Sequence, residues 1–191
     1  MSILEKIEKR KREGRLFVLP LQQVNESPVR TILVTPKLYK QLTGADWKTA
    51  DEAIRLSKLR GDLEHFIKNG QISMHLDPSQ RKQTKAAQAA YMGLLKKPEN
   101  GIFDIRSRDP KPGLRVLGGY AHKDVFVAIE CHPRSRRVPW LGWPPLKDGK
   151  SKAWKEAIGK CRKKWKDLFG QDTPLTGSDP DVFLTGNKSL V

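Results

Sequence analysis

Three stretches of the chain alternate apolar and polar residues with a period of two, the pattern of strands that present two distinct faces. In 102–107, Phe103 and Ile105 alternate with Asp104 and Arg106. In 114–120, Leu114, Val116 and Tyr120 share one face while Arg115 and Leu117 share the other. In 124–132, Val125, Val127, Ile129 and Cys131 oppose Phe126, Ala128, Glu130 and His132. The nearly unbroken apolar run 125–129 predicts a central strand covered on both sides. Ala121, His122 and Lys123 suffice for the loop of an antiparallel hairpin, and Gly118-Gly119 predicts a bulge or a close backbone approach.

Other stretches carry a helical period. Residues 2–12 open with Ser2 and Glu5 at capping-box spacing and bury a narrow stripe of Ile3, Leu4 and Ile7. Thr35-Pro36 starts a short helix over 36–42, with Leu38, Tyr39 and Leu42 inward. The longest signal is 49–69, capped by Thr49 and Glu52, with Ala53, Leu56, Leu59, Leu63, Phe66 and Ile67 on one face. Ala87, Tyr91, Leu94 and Leu95 predict a further helix over 80–97. Residues 151–169 form a strongly basic helix whose Trp154, Ile158, Cys161, Trp165 and Phe169 point to a core, leaving Lys155, Arg162, Lys163 and Lys166 outward. Strands are expected over 15–19 and 29–34, an extended piece over 71–76, and a loose tail after residue 170, where Gly, Pro, Ser, Thr and Asp dominate.

Charge changes the picture most. The chain carries 37 Lys/Arg against 21 Asp/Glu, a net +16. The excess is uneven: 133–166 holds 12 basic against 2 acidic residues, whereas 16–80 holds 8 against 7. So lopsided a field favours an acidic partner, nucleic acid or ribosome first. No apolar run is long enough for a membrane helix, and the charged N-terminus does not resemble a secretory signal, so a cytoplasmic protein without membrane association is expected. Cys131 and Cys161 give no disulfide framework, and with His65, His75, His122 and His132 they make no metal-binding spacing. No metal and no cofactor is expected.

No phosphate-binding glycine loop, dinucleotide fingerprint or nucleophile elbow is present. Asp104 and Glu130 on neighbouring strands could serve a metal nuclease, but no lysine follows Glu130 at the usual spacing. Metal-free chemistry on RNA asks for less. The 2′-hydroxyl is the nucleophile, so the protein supplies cations for the transition-state charge and a group to move the proton. Arg106, Arg115, Arg134, Arg136 and Arg137, with His132 or Tyr120 as proton carriers, are the candidates.

Three segments bear a resemblance. Gly101–Arg106 (GIFDIR) resembles the GLFELR strand of the RelE/HigB-type toxins, Leu114-Arg115-Val116 their YRV strand, and 132–139 (HPRSRRVP) their basic segment ending in proline. Upstream, 30–42 is similar to their opening strand and helix. The resemblance implies an α+β fold, an antiparallel sheet packed against helices, here with a basic C-terminal helix. It further implies mRNA cleavage, free or on the ribosome, by cationic residues, and neutralisation by an acidic antitoxin. Arg115, Arg134, His132 and Tyr120 are then the expected catalytic residues. Arg106, Arg108, Lys111, Arg136, Arg137, Lys155, Arg162, Lys163 and Lys166 are the expected nucleic-acid contacts. A rival reading, a basic nucleic-acid-binding or phage-encoded interaction protein without catalysis, is favoured because no tyrosine follows Tyr120 and no histidine follows His132. The expected organisation is a basic helix (1–14), an α+β domain (15–139), a tryptophan-rich loop and basic helix packed on it (140–170), and a flexible tail (171–191).

Overall fold

The computed structural model describes residues 1–23, 27–45, 47–79, 90–95, 97–111, 113–133 and 152–190. The alternating stretches form strands and the periodic ones mostly form helices, in the order α1 (Ile3–Arg12), β1 (Phe17–Val18), β2 (Thr31–Val34), α2 (Pro36–Thr43), α3 (Ala50–Ile67), β3 (Ile72–His75), β4 (Ala90–Leu94), β5 (Ile102–Ser107), β6 (Leu114–His122), β7 (Val125–Pro133), α4 (Lys152–Phe169) and β8 (Lys188–Leu190). The predicted caps form where their chemistry allows. Ser2 and Glu5 close a reciprocal capping box on α1, and Thr49 accepts from the Glu52 N–H at the start of α3.

The strands join one eight-stranded sheet in the order β1-β2-β7-β6-β5-β4-β3-β8. The fold is α+β, but the sheet is mixed and not antiparallel throughout. β2 runs parallel to β7, and β3 runs parallel to both β4 and β8. The reason is connectivity: β2 returns to β7 only after α2, α3 and half of the sheet, so no hairpin fixes its direction.

Helices cover both faces. On one, α2 and α3 bury Leu38, Leu42, Leu56, Leu59, Leu63 and Phe66 against Ile32, Val34, Phe103, Ile105, Val116, Tyr120 and Phe126. On the other, α1 and α4 bury Ile7, Trp154, Cys161, Trp165 and Phe169 against Leu33, Ile102, Leu117, Val127 and Ile129. Among the described residues, no helix is long and apolar enough to cross a membrane.

Two expectations fail. The helix predicted over 80–97 is a strand at its C-terminal end, because Ala90–Leu94 pairs with β3 on one side and β5 on the other; residues 80–89 lie outside the described ones. The tail predicted after residue 170 is anchored. Phe183 and Leu184 are fully buried, and β8 extends the sheet. The turn at Asp124 holds this segment, its carboxylate accepting from the Thr185 N–H (2.9 Å) and hydroxyl (2.7 Å). From the other side, Arg30 donates to Thr185 O (3.0 Å) and Asn69 Oδ1 (2.6 Å).

Candidate nucleic-acid interface

The face of the sheet under α4 carries two polar rows. Tyr91, Arg106, Arg115 and His132 are successive cross-strand partners on β4, β5, β6 and β7. The neighbouring row is Gly93, Asp104, Leu117 and Glu130. A bulge makes this possible. The register passes from Leu117 opposite Glu130 to Gly118 opposite Ala128, which leaves Ile129 as the extra residue of β7. Strict alternation groups Cys131 with Ile129 and places Glu130 and His132 beside Phe126. The bulge reverses that order: Cys131 joins the α3 face, and Glu130 and His132 turn toward α4. Gly118-Gly119 fulfils both halves of its expectation. The register shift lies there, and a Cβ on Gly119 would come within 2.8 Å of Pro174.

The charges pair between the two rows, in one cluster around Asp104 and another around Glu130. Asp104, with no exposed surface, accepts from Arg106 Nε (2.8 Å) and Nη2 (3.2 Å) and from Arg115 Nη1 (2.8 Å). Space for its carboxylate exists because residue 93 is glycine: a Cβ there would lie 2.9 Å from Asp104 Oδ1. The Arg106 guanidinium sits over the Tyr91 ring at 4.2 Å, and that of Arg115 over Trp154 at 4.8 Å. In the second cluster, His132 Nε2 is 3.0 Å from Glu130 Oε2, and Lys164 reaches Glu130 Oε1 from α4 at 2.8 Å. Burial raises the Glu130 carboxyl, but the bonds from His132 and Lys164 outweigh it and hold the group below its ordinary range. Burial lowers the Arg106 guanidinium, and Asp104 more than restores it.

Above these rows lies a basic outer layer. The buried stripe of α4 (Trp154, Ala157, Cys161, Trp165, Leu168 and Phe169) turns Lys155, Lys160, Arg162, Lys163 and Lys166 to solvent. α1 and the chain leaving it are fastened to the end of α4 by cations. Lys6 donates to Phe169 O (2.9 Å), Arg10 to Leu168 O (2.7 Å) and Arg15 to Asp167 O (3.2 Å). Positive side chains thus meet the unsatisfied carbonyls and the negative end of the helix dipole.

The expected catalytic set is only partly brought together. Arg115 and His132 face each other, both buried. Tyr120 does not join them: it lies on the α3 face, its hydroxyl against Met92 Sδ at 2.9 Å. Burial there pushes its phenol well above the usual range. Arg134, Arg136 and Arg137 lie outside the described residues. Arg108 shares the Tyr91 ring at 5.5 Å, and Lys111 is exposed in the next loop, whose carbonyl at Lys111 accepts from Arg55. Lys155, Arg162, Lys163 and Lys166 are exposed as expected. Asp104 and Glu130 do not form a carboxylate pair, because Leu117 stands between them and each is held by cations of its own.

Sequence reasoning missed Lys164. Its position between Cys161 and Leu168, at helical spacings of three and four, was the available signal that it flanks the buried stripe of α4. No protein-family model matches the chain, and neither the curated proteins nor the solved structures give a match.

Proposed function

We propose that the protein binds nucleic acid, RNA in the first instance, along the exposed face of α4. The observation that carries this reading is the one-sided chemistry of that helix. Its buried side is apolar and fixed, while Lys155, Lys160, Arg162, Lys163 and Lys166 point outward. A rigid row of cations suits a phosphate backbone and reads no base, so binding is strongly salt-dependent and nearly indifferent to sequence. Cross-linking to RNA containing 4-thiouridine, followed by peptide mapping, tests the assignment. Cross-links on α4 support it, and cross-links confined to the α3 side contradict it.

The second reading is RNA cleavage of the RelE/HigB-like type, with an acidic antitoxin as partner. It is favoured by one observation, the direct opposition of Arg115 and His132. In that chemistry the ribose 2′-oxygen bonds to phosphorus as the bond to the 5′-oxygen breaks. The 2′ proton passes to an acceptor and the departing 5′-oxygen takes one up, leaving a cyclic phosphate. His132 is the candidate proton carrier and Arg115 the candidate stabiliser of the phosphorane charge. Mapping mRNA ends in a translation reaction tests it. New ends that vanish with His132→Ala and Arg115→Ala support cleavage. No new ends leave the protein a binder.

A further inference from the structure

Where the chain leaving α1, the start of α2 and the last turns of α4 meet, an open cavity of about 350 Å³ is lined by Arg15, Thr35, Pro36, Lys37, Lys164 and Asp167. We propose that this cavity is a subsite for one tetrahedral phosphate group, gripped by the guanidinium of Arg15 and the ammonium groups of Lys37 and Lys164.

The three cations come from three separate elements, so their convergence is a product of the fold and not of a local run of lysines. Arg15 donates to the Asp167 carbonyl (3.2 Å) and Lys164 is paired with Glu130 (2.8 Å). Lys37 faces them from α2. Burial and then the charge of Lys164 push the Lys37 ammonium below its ordinary range, which Glu130 and Cys131 only partly offset. An anion between Lys37 and Lys164 removes that repulsion. A phosphate suits the space better than a carboxylate, because it offers oxygens in three directions where a carboxylate offers two in one plane. The start of α2 adds to this field: the Thr35 hydroxyl donates to Ile129 O (3.0 Å) and does not cap the helix. One feature opposes an anion, the carboxylate of Asp167 on the cavity wall.

Lys164 also holds Glu130, and Glu130 holds His132, so a phosphate here lies beside the buried polar row. That the phosphate belongs to a nucleic-acid strand rests on the reading above; the subsite itself does not.

The test follows the lysine ammonium signals of the full chain by NMR, during titration with inorganic phosphate and then with a single-stranded RNA hexamer. The groups facing Lys37 are Arg15, Lys164 and Asp167 from the α1–α4 side and Glu130 and Cys131 from β7. Phosphate is expected to shift the Lys37 signal and raise its pKa. Lys37→Ala should weaken phosphate binding about fivefold, and Asp167→Asn should strengthen it by a similar factor. Because the two exposed substitutions act in opposite directions, misfolding cannot mimic the result. Phosphate that moves Lys37 while RNA does not supports the subsite and shows that its phosphate does not come from a nucleic-acid strand. RNA that binds α4 while neither ligand moves Lys37 overturns the subsite and leaves that reading intact.

Discussion

Arg115 and His132 stand directly opposite each other on β6 and β7 because Ile129 is a bulge residue. Without that one extra residue, His132 would point into the apolar layer under α3. With it, two clusters of charge, one at Asp104 and one at Glu130, sit beneath α4, and each is a testable unit.

The first cluster depends on Asp104. Its buried carboxylate bonds to two guanidiniums, so Asp104→Ala removes the charge that holds Arg106 and Arg115 side by side. The expected cost is about 3–5 kcal/mol, read from denaturant unfolding, and should exceed that of either Arg106→Ala or Arg115→Ala.

The second cluster, around Glu130, makes stability depend on acid. The Glu130 carboxyl is held below its ordinary value of 4.5, so its contribution is present above that value and is lost as pH falls through the lower, folded-state pKa. Lys164→Ala removes one of the two bonds and should move the acid-side loss of stability to higher pH. Because Lys164 is half exposed, the change at neutral pH is expected to be only about 0.5–1 kcal/mol. A pH series of thermal melts for both proteins checks this.

The C-terminal segment is a structural part of the sheet. Phe183 packs edge-on to Phe103 with ring centroids 5.0 Å apart and lies 5.3 Å from Tyr120. Phe183→Ala should destabilise by roughly 3–5 kcal/mol. Removing everything after residue 179 should be at least as damaging, whereas a loose tail would be deleted without effect on the melting temperature.

The clamp between α1 and α4 is predicted to be weaker. Arg10→Ala forfeits its bond to the Leu168 carbonyl and its place at the helix end, worth about 1 kcal/mol. Hydrogen exchange should then quicken in the last turn of α4 while the sheet remains protected.

Much of this was legible in the sequence, and the failures have physical causes. The alternation of Phe103 and Ile105 with Asp104 and Arg106 marks the two faces of β5 directly. Capping chemistry located α1 and α3 to within a residue or two. The phase of β7 was hidden because a strand covered on both sides is apolar on both sides. Nothing in the run 125–129 marks Ile129 as the residue without a cross-strand partner. β4 was misread because Ala87, Tyr91, Leu94 and Leu95 fall at helical spacing, whereas pairing with β3 and β5 decides its conformation. The last segment was misjudged on composition: its many turn-forming residues obscured Phe183 and Leu184, which anchor it. On α4, the outward placement of Lys155, Arg162, Lys163 and Lys166 follows from the tryptophan spacing. Lys164 and its bond to Glu130 required the bulge to be known.

Nucleic-acid binding along α4 predicts a strong salt dependence of RNA affinity. Fluorescence anisotropy with a single-stranded RNA, across a range of salt concentrations, should give a steep linear fall of log affinity with log salt. The slope should diminish by roughly 0.7 for each phosphate no longer neutralised, hence by about 3 when Lys155, Arg162, Lys163 and Lys166 are all changed to glutamine. An unchanged slope and affinity in that variant would rule out binding along α4.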